Sequence, residues 1–213
     1  MSAPAIKICG ITGAQALEAS IKARADYVGF VFFPPSPRHL TLEQAARLGA
    51  QANGHVLRVG LFVDAGDALL GDAVAAAQLD VLQLHGEETP ARVAELKARF
   101  DLPVWKALPV ASDKDVLCAD AYISAADLIL FDAKTPKGTL PGGMGLVFDW
   151  KLVTGWRSAG AWGLAGGLSA ENVTQAVRLT AAPLVDTSSG VESAPGVKDA
   201  AKIAAFCKAA RGQ

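Results

Sequence analysis

The feature that most constrains this chain is an alternation. A short apolar run of strand length is followed by an Ala- and Leu-rich stretch of helical length, and the pair recurs eight times. The strand-like runs are Ala5–Cys9, Tyr27–Phe32, Val56–Val63, Val81–His85, Val104–Leu108, Leu128–Asp132, Ala161–Leu164 and Leu184–Thr187. The helical stretches that follow them are Gly13–Arg24, Leu42–Ala52, Asp67–Ala77, Pro90–Phe100, Asp113–Asp120, Trp150–Ser158, Ala170–Leu179 and Val197–Ala210. Such alternation implies parallel strands, because each crossover helix returns the chain to the end of the sheet it left. Eight units match the strand count of a (β/α)8 barrel and exceed the roughly five or six of the common doubly wound open sheets, the competing arrangement. The expectation is an α/β fold: a parallel eight-stranded TIM barrel, with residues 1–213 as one domain and no linker dividing them. A length of 213 residues is at the short end for that fold.

Start signals support several helices. Thr41 precedes L-E-Q-A-A-R-L with Gln44 at the capping-box spacing, Thr89 precedes Pro90 at a first helical position, and Ser169 precedes A-E-N-V. Composition narrows the function classes. With 51% apolar residues, 19% charged residues and a formal net charge of −1, the chain is globular and has no field to steer it to nucleic acid or an anionic membrane. A small anionic ligand therefore needs local binding devices. Cys9, Cys118 and Cys207 are far apart and form no C-x-x-C pair, so neither a disulfide framework nor a metal site is expected, and a reducing cytoplasm fits. The start M-S-A-P lacks a basic region followed by an apolar one, so no secretory leader is expected, and no apolar run reaches membrane-span length.

In a barrel of this kind the site is built at the C-terminal strand ends. The polar residues there are Cys9, Arg38, Asp64, Gln83, His85, Lys106, Asp132, Gly166–Gly167, and Asp186 with Ser188–Ser189–Gly190. The seventh and eighth loops, A-G-G-L-S and S-S-G, offer close backbone approach, N–H groups and two hydroxyls, which together suit a phosphate. Either motif alone reads equally as an ordinary turn. Cys9 and Asp132, ending the first and sixth runs, can face one cavity from opposite sides. A thiolate there is a base, and a carboxyl after I-L-F, kept protonated by apolar neighbours, is an acid. Such a pair across a bound sugar phosphate means proton shuttling, that is, isomerisation. A lone cysteine is also a small core residue, as Cys118 and Cys207 are expected to be inside their helices. Lys7 shares a strand face with Cys9 and offers an ammonium to its thiolate. Arg38 is either a bidentate partner for a carboxylate or phosphate, or a solvated loop arginine. His85 either orients substrate or caps a strand end, His39 is ambiguous, and Asp64, Glu87 and Glu88 read as surface or loop acids.

The motifs K-I-C-G-I-T, D-Y-V-G-F-V-F-F-P-P-S-P-R, R-V-G-L-F-V-D, Q-L-H-G-E-E, L-F-D-A-K-T-P, A-G-G-L-S-A-E-N-V and V-D-T-S-S-G-V-E closely resemble, in order, those of the phosphoribosylanthranilate isomerase family of tryptophan biosynthesis. The resemblance runs from Lys7 to Asp199. It implies a cofactor-free Amadori rearrangement of a small phosphorylated substrate by a monomer or homodimer, with Asp132 as general acid and Cys9 as general base. It places Arg38 on the anthranilate carboxylate and Gly166, Gly167, Ser188, Ser189 and Gly190 on the phosphate, with His85 and Asp186 near the substrate. The loop G-G-M-G departs from the family at Met144, where a small hydroxyl residue is usual; Gly142–Gly145 is expected to close over substrate. Two alternatives remain: a dual-substrate isomerase that also serves histidine biosynthesis, which resembles a two-aspartate design, and a phosphosugar-binding barrel without catalysis.

Overall fold

The computed structural model describes residues 3–136, 142–143, 145–156 and 160–213. Eight strands close into a barrel in chain order: β1 (Ala5–Cys9), β2 (Tyr27–Val31), β3 (Leu57–Phe62), β4 (Val81–Leu84), β5 (Val104–Val110), β6 (Leu128–Ala133), β7 (Ala161–Leu164) and β8 (Leu184–Thr187). Every neighbouring pair is parallel, and β8 returns to β1 through Ala5 opposite Leu184 and Ile8 opposite Thr187. Alternate residues along the strands go to two cores. Val59, Val81, Trp105, Ala107, Leu128, Leu130, Ala165 and Leu184 fill the barrel. Ile6, Ile8, Val28, Phe30, Leu82, Leu84, Ile129 and Phe131 join the helices outside it. Burial on both faces is why the strands read as near-continuous apolar runs rather than as alternating ones.

The helices are α1 (Ala14–Lys22), α2 (Leu42–Ala52), α3 (Asp67–Ala77), α4 (Pro90–Phe100), α5 (Asp113–Leu117), α6 (Val173–Thr180) and α7 (Ala200–Ala210). The Thr41 capping box forms in full, and Thr89 accepts the Arg92 N–H ahead of Pro90. Four expected helices differ by more than two residues at an end. The fifth tightens after Leu117 into a 3-10 segment, Cys118–Tyr122, and this leaves Cys118 exposed rather than packed. The sixth shrinks to a 3-10 turn, Trp150–Val153, which ends where Thr154 and Gly155 interrupt the helical run; residues 157–158 of the expected helix lie outside the described residues. Asn172 takes the Ser169 N–H with its side chain, so α6 starts at Val173 instead of Ala170. The last helix starts at Ala200, because Asp199 caps it and Val197–Lys198 (β10) instead pairs antiparallel with Glu192–Ala194 (β9).

The N-terminal ends of the strands are held by a repeated device. Asp26, Asp80 and Asp127 each precede an even-numbered strand. Each N–H donates to the backbone carbonyl at the start of the preceding odd strand (Ile6, Arg58, Val104), at 2.9, 2.8 and 2.7 Å. Each carboxylate then accepts that same residue's N–H, at 2.7, 2.8 and 2.8 Å. Three strand pairs are thereby closed by two-bond clamps, leaving the opposite end of the barrel for a pocket. No helix among the described residues is long and apolar enough to cross a membrane.

Candidate active site

The pocket lies at the C-terminal strand ends, and its lining brings together Cys9, Arg38, His85, Asp132, Asp186, Gly166, Gly167, Ser188 and Ser189. It encloses about 720 Å³, its open mouth included. Of the residues expected to act on the substrate or hold its carboxylate and phosphate, Gly190 alone stands behind the lining. There is no room for a side chain at that position, since a Cβ would strike the Leu168 carbonyl. Gly166 and Gly167 are both left-handed, with φ of +81° and +60°.

Cys9 ends β1 with its sulfur among Val31, Leu61, Phe33 and Val63. Two glycines make room for this corner. A Cβ on Gly29 would come within 2.8 Å of the Cys9 sulfur, and Gly10, at φ +75°, turns the chain where a Cβ would press to 2.5 Å on the Arg38 side chain. Burial pushes the Cys9 thiol above its ordinary range, and nearby Asp186 adds to the rise. Lys7 and Lys198 pull the other way without reversing it. Lys7 is fully buried, and its Nζ lies 2.9 Å from Asp186 Oδ2. Burial works against the Lys7 charge, yet Asp186 and Cys9 together raise its pKa; burial likewise raises that of Asp186 despite Lys7. Asp186 Oδ1, both polar atoms of Gln83, and His85 Nδ1 are buried without a protein partner. All three residues line the pocket.

Asp132 ends β6. Its Oδ1 accepts the Ala133 N–H at 2.8 Å, and its Oδ2 lies 3.1 Å from His85 Nε2. The loop carrying His85 rests on a buried brace. Lys106 Nζ donates to the Gly86 carbonyl at 2.7 Å and to Glu88 Oε2 at 3.0 Å, while Glu88 accepts the N–H groups of Asp64 and Gly86. Glu88 is thus a loop acid as expected, but a buried one, and Lys106, at a strand end, supports the loop outside the pocket lining. His39, too, lies outside the lining, bridged to Val31 through the backbone.

Arg38 is neither solvated nor free. Its Nε and Nη2 grip the two oxygens of Glu192, each at 2.8 Å, and Nη2 also reaches the Gly143 carbonyl at 3.1 Å. Glu192 in turn binds Lys198 Nζ at 2.6 Å. Glu192 and Lys198 are absent from the expected site: Lys198 falls at the start of the expected last helix, Val197–Ala210, and Glu192 in the loop before it. The turn signal Pro195–Gly196 between two short runs is what announces the hairpin. Gly142 and Gly143 line the pocket beside His85, Asp132 and Arg38; Met144, and with it part of the expected loop closure, lies outside the described residues. Among the described residues no group of three or more His, Cys, Asp and Glu side chains is arranged to hold a metal ion.

Closed parallel barrel, polar strand ends and a lined cavity at their C-terminal side place the chain among the (β/α)8-barrel enzymes. The family model described as N-(5'phosphoribosyl)anthranilate (PRA) isomerase matches residues 6–209. The chain belongs to that family and is an enzyme. The N-(5'-phosphoribosyl)anthranilate isomerase of Parvibaculum lavamentivorans is 54% identical over 151 residues, 70% of each chain. The crystal structure of phosphoribosyl anthranilate isomerase from Thermotoga maritima superposes with a TM-score of 0.90 at 37% identity, over 99% of this chain and all of the other. A structure of such an isomerase in complex with reduced 1-(o-carboxyphenylamino)-1-deoxyribulose 5-phosphate gives a TM-score of 0.87 at 36% identity, again over 99% of this chain and all of the other.

Proposed function

We propose that the pocket converts N-(5'-phosphoribosyl)anthranilate to 1-(o-carboxyphenylamino)-1-deoxyribulose 5-phosphate, an aldose–ketose step of tryptophan biosynthesis. The observation that carries this reading is that Cys9 and Asp132 line one cavity together with Arg38 and the two glycine–serine loops. Asp132 gives its proton to the furanose ring oxygen. The C1'–O bond breaks as the anilino nitrogen forms a C=N⁺ bond. The Cys9 thiolate then removes the C2' proton, and the released pair forms the C1'=C2' bond of an enolamine. Return of a proton to C1' and loss of the enol proton yield the ketone. Protons balance over the cycle, and no oxidant enters. His85 holds the acid through Nε2 and steadies its carboxyl. The Lys7–Asp186 pair sets the charge beneath the thiol.

The two anionic ends of the substrate take separate places. Arg38, with Nε and Nη2 committed to Glu192, retains Nη1 for the anthranilate carboxylate. Gly166, Gly167, Ser188, Ser189 and Gly190 form the phosphate end, with Gly190 shaping the loop from behind. The enzyme works in the cytoplasm as a monomer or homodimer.

The test is the loss of anthranilate-type fluorescence from freshly made substrate. Cys9→Ser and Asp132→Asn are each expected to lower kcat by roughly 10²–10⁴-fold, the usual contribution of a positioned acid or base. Because burial raises the Cys9 thiol, kcat/KM of the wild type should climb with pH toward the alkaline range. Full activity in either variant removes its assigned role. Turnover of the histidine-pathway aminoimidazole substrate would favour the dual-substrate alternative.

A further inference from the structure

Arg38 and Ser188 line the pocket from different loops, yet they meet through buried groups that the proposed chemistry does not use. Arg38 Nε and Nη2 bind the two oxygens of Glu192. Glu192 Oε1 also binds Lys198 Nζ at 2.6 Å, and Lys198 Nζ continues to the Ser188 carbonyl at 3.1 Å and the Ser188 hydroxyl at 3.2 Å. The Lys198 side chain is fully buried and that of Glu192 nearly so. Lys202 donates to the Glu192 backbone carbonyl at 2.7 Å and so fixes the hairpin on α7. The hairpin turn is tied from its other side, where Thr12 donates to the Gly196 carbonyl.

One carboxylate is thus shared by two buried cations. A buried charge is stable only when paired, and removing one member leaves the others unbalanced. Burial lowers the pKa of Lys198 while Glu192 holds it up, so the Lys198 ammonium depends on the carboxylate it shares with Arg38. Without Lys198, the full negative charge of Glu192 falls on Arg38 and cancels much of its attraction for an incoming anion. Ser188 loses its ammonium donor in the same change.

We propose that Glu192 and Lys198 are positioning residues that couple the two anion-binding ends of the cavity, so that the Arg38 fork and the Ser188 loop are held and charged as one unit. This rests on the reading of those two ends given above. Lys198 touches Ser188 directly and reaches Arg38 only through Glu192, so a role limited to its Ser188 contacts confines its effect to the phosphate end.

The test uses two probes, anthranilate and inorganic phosphate, as competitive inhibitors of the full chain. In Lys198→Met the inhibition constants of both probes should rise roughly tenfold, as for loss of a buried charge-assisted contact, with KM rising and kcat falling much less. In a Glu192→Gln background the same Lys198→Met change should leave anthranilate inhibition nearly unaltered, since the link is already broken. Lys198→Gln keeps a donor for Ser188 without the charge, and serves if Lys198→Met does not fold; it too should weaken anthranilate. Weakening of phosphate alone, or an altered melting temperature with both inhibition constants unchanged, overturns the coupling. If neither probe competes on the wild type, the reading of the two ends fails, and the coupling falls with it.

Discussion

The two ends of the barrel use aspartate in opposite ways. At the N-terminal end, Asp26, Asp80 and Asp127 each close a two-bond clamp on the preceding odd strand. At the C-terminal end, Asp186 keeps one oxygen bonded to Lys7 and the other unpartnered, and Asp132 holds a histidine whose second nitrogen is unpartnered. Satisfied polar groups stabilise a fold, whereas buried ones without partners cost it stability until a ligand fills them. The contrast separates a face that holds the strands in register from a face prepared for a polar guest.

The sharpest way to break the contrast is at Asp80. Its carboxylate serves the clamp and also carries the Arg58 side chain, bonded from Nε at 2.8 Å and from Nη2 at 3.0 Å. Asp80→Ala should cost about 3 kcal/mol in a denaturant titration, because it strands a buried guanidinium. The folded fraction should keep its kcat, since Asp80 lies at the end of the barrel remote from the pocket. A fall in kcat of the folded enzyme would show that the two ends are not independent.

Asp127 offers a milder version. Asp127→Ala removes the acceptor of the Val104 N–H together with a half-exposed contact to Lys97. The expected loss is about 2 kcal/mol, most of it from the unpaired amide, again with unchanged turnover. A loss much smaller than that would mean that water replaces the carboxylate at this clamp.

How much of this was legible follows from where each signal lies along the chain. The barrel was readable because every unit repeats the same local pattern, and the pocket residues because the barrel rule sends the strand ends to one side. Cys9, Asp132, His85 and Asp186 were found that way. The clamps lie in A-D-Y-V, L-D-V-L and A-D-L-I, where no local pattern marks them, because a clamp shows only when the neighbouring strand is in place. The spacing of Lys7 to Cys9 shows its pull on the thiol, but not its second partner Asp186, which is 179 residues away. Glu192 and Lys198 stand in strands of three and two residues, too short to carry any periodicity. Glu88 looked exposed because an acidic pair in a loop usually is; its burial depends on Lys106 from the next strand.

The smallest expected effect tests whether a thiol can matter without chemistry. Cys207 is buried on α7, away from the pocket, and burial pushes it up from 9.0 to about 11. Below pH 9.0 the thiol is protonated in folded and unfolded chains alike, and its contribution to stability is complete. Between 9.0 and about 11 the unfolded chain releases the proton while the folded chain keeps it, so the unfolded state gains and stability falls. Cys207→Ala should flatten that alkaline decline by on the order of 1 kcal/mol while leaving the alkaline rise of kcat/KM intact. Cys9→Ser should do the reverse to the rate profile, abolishing the rise that depends on its thiolate. If Cys207→Ala instead removes the kinetic rise, the proton counted there does not belong to Cys9, and the base must be sought elsewhere.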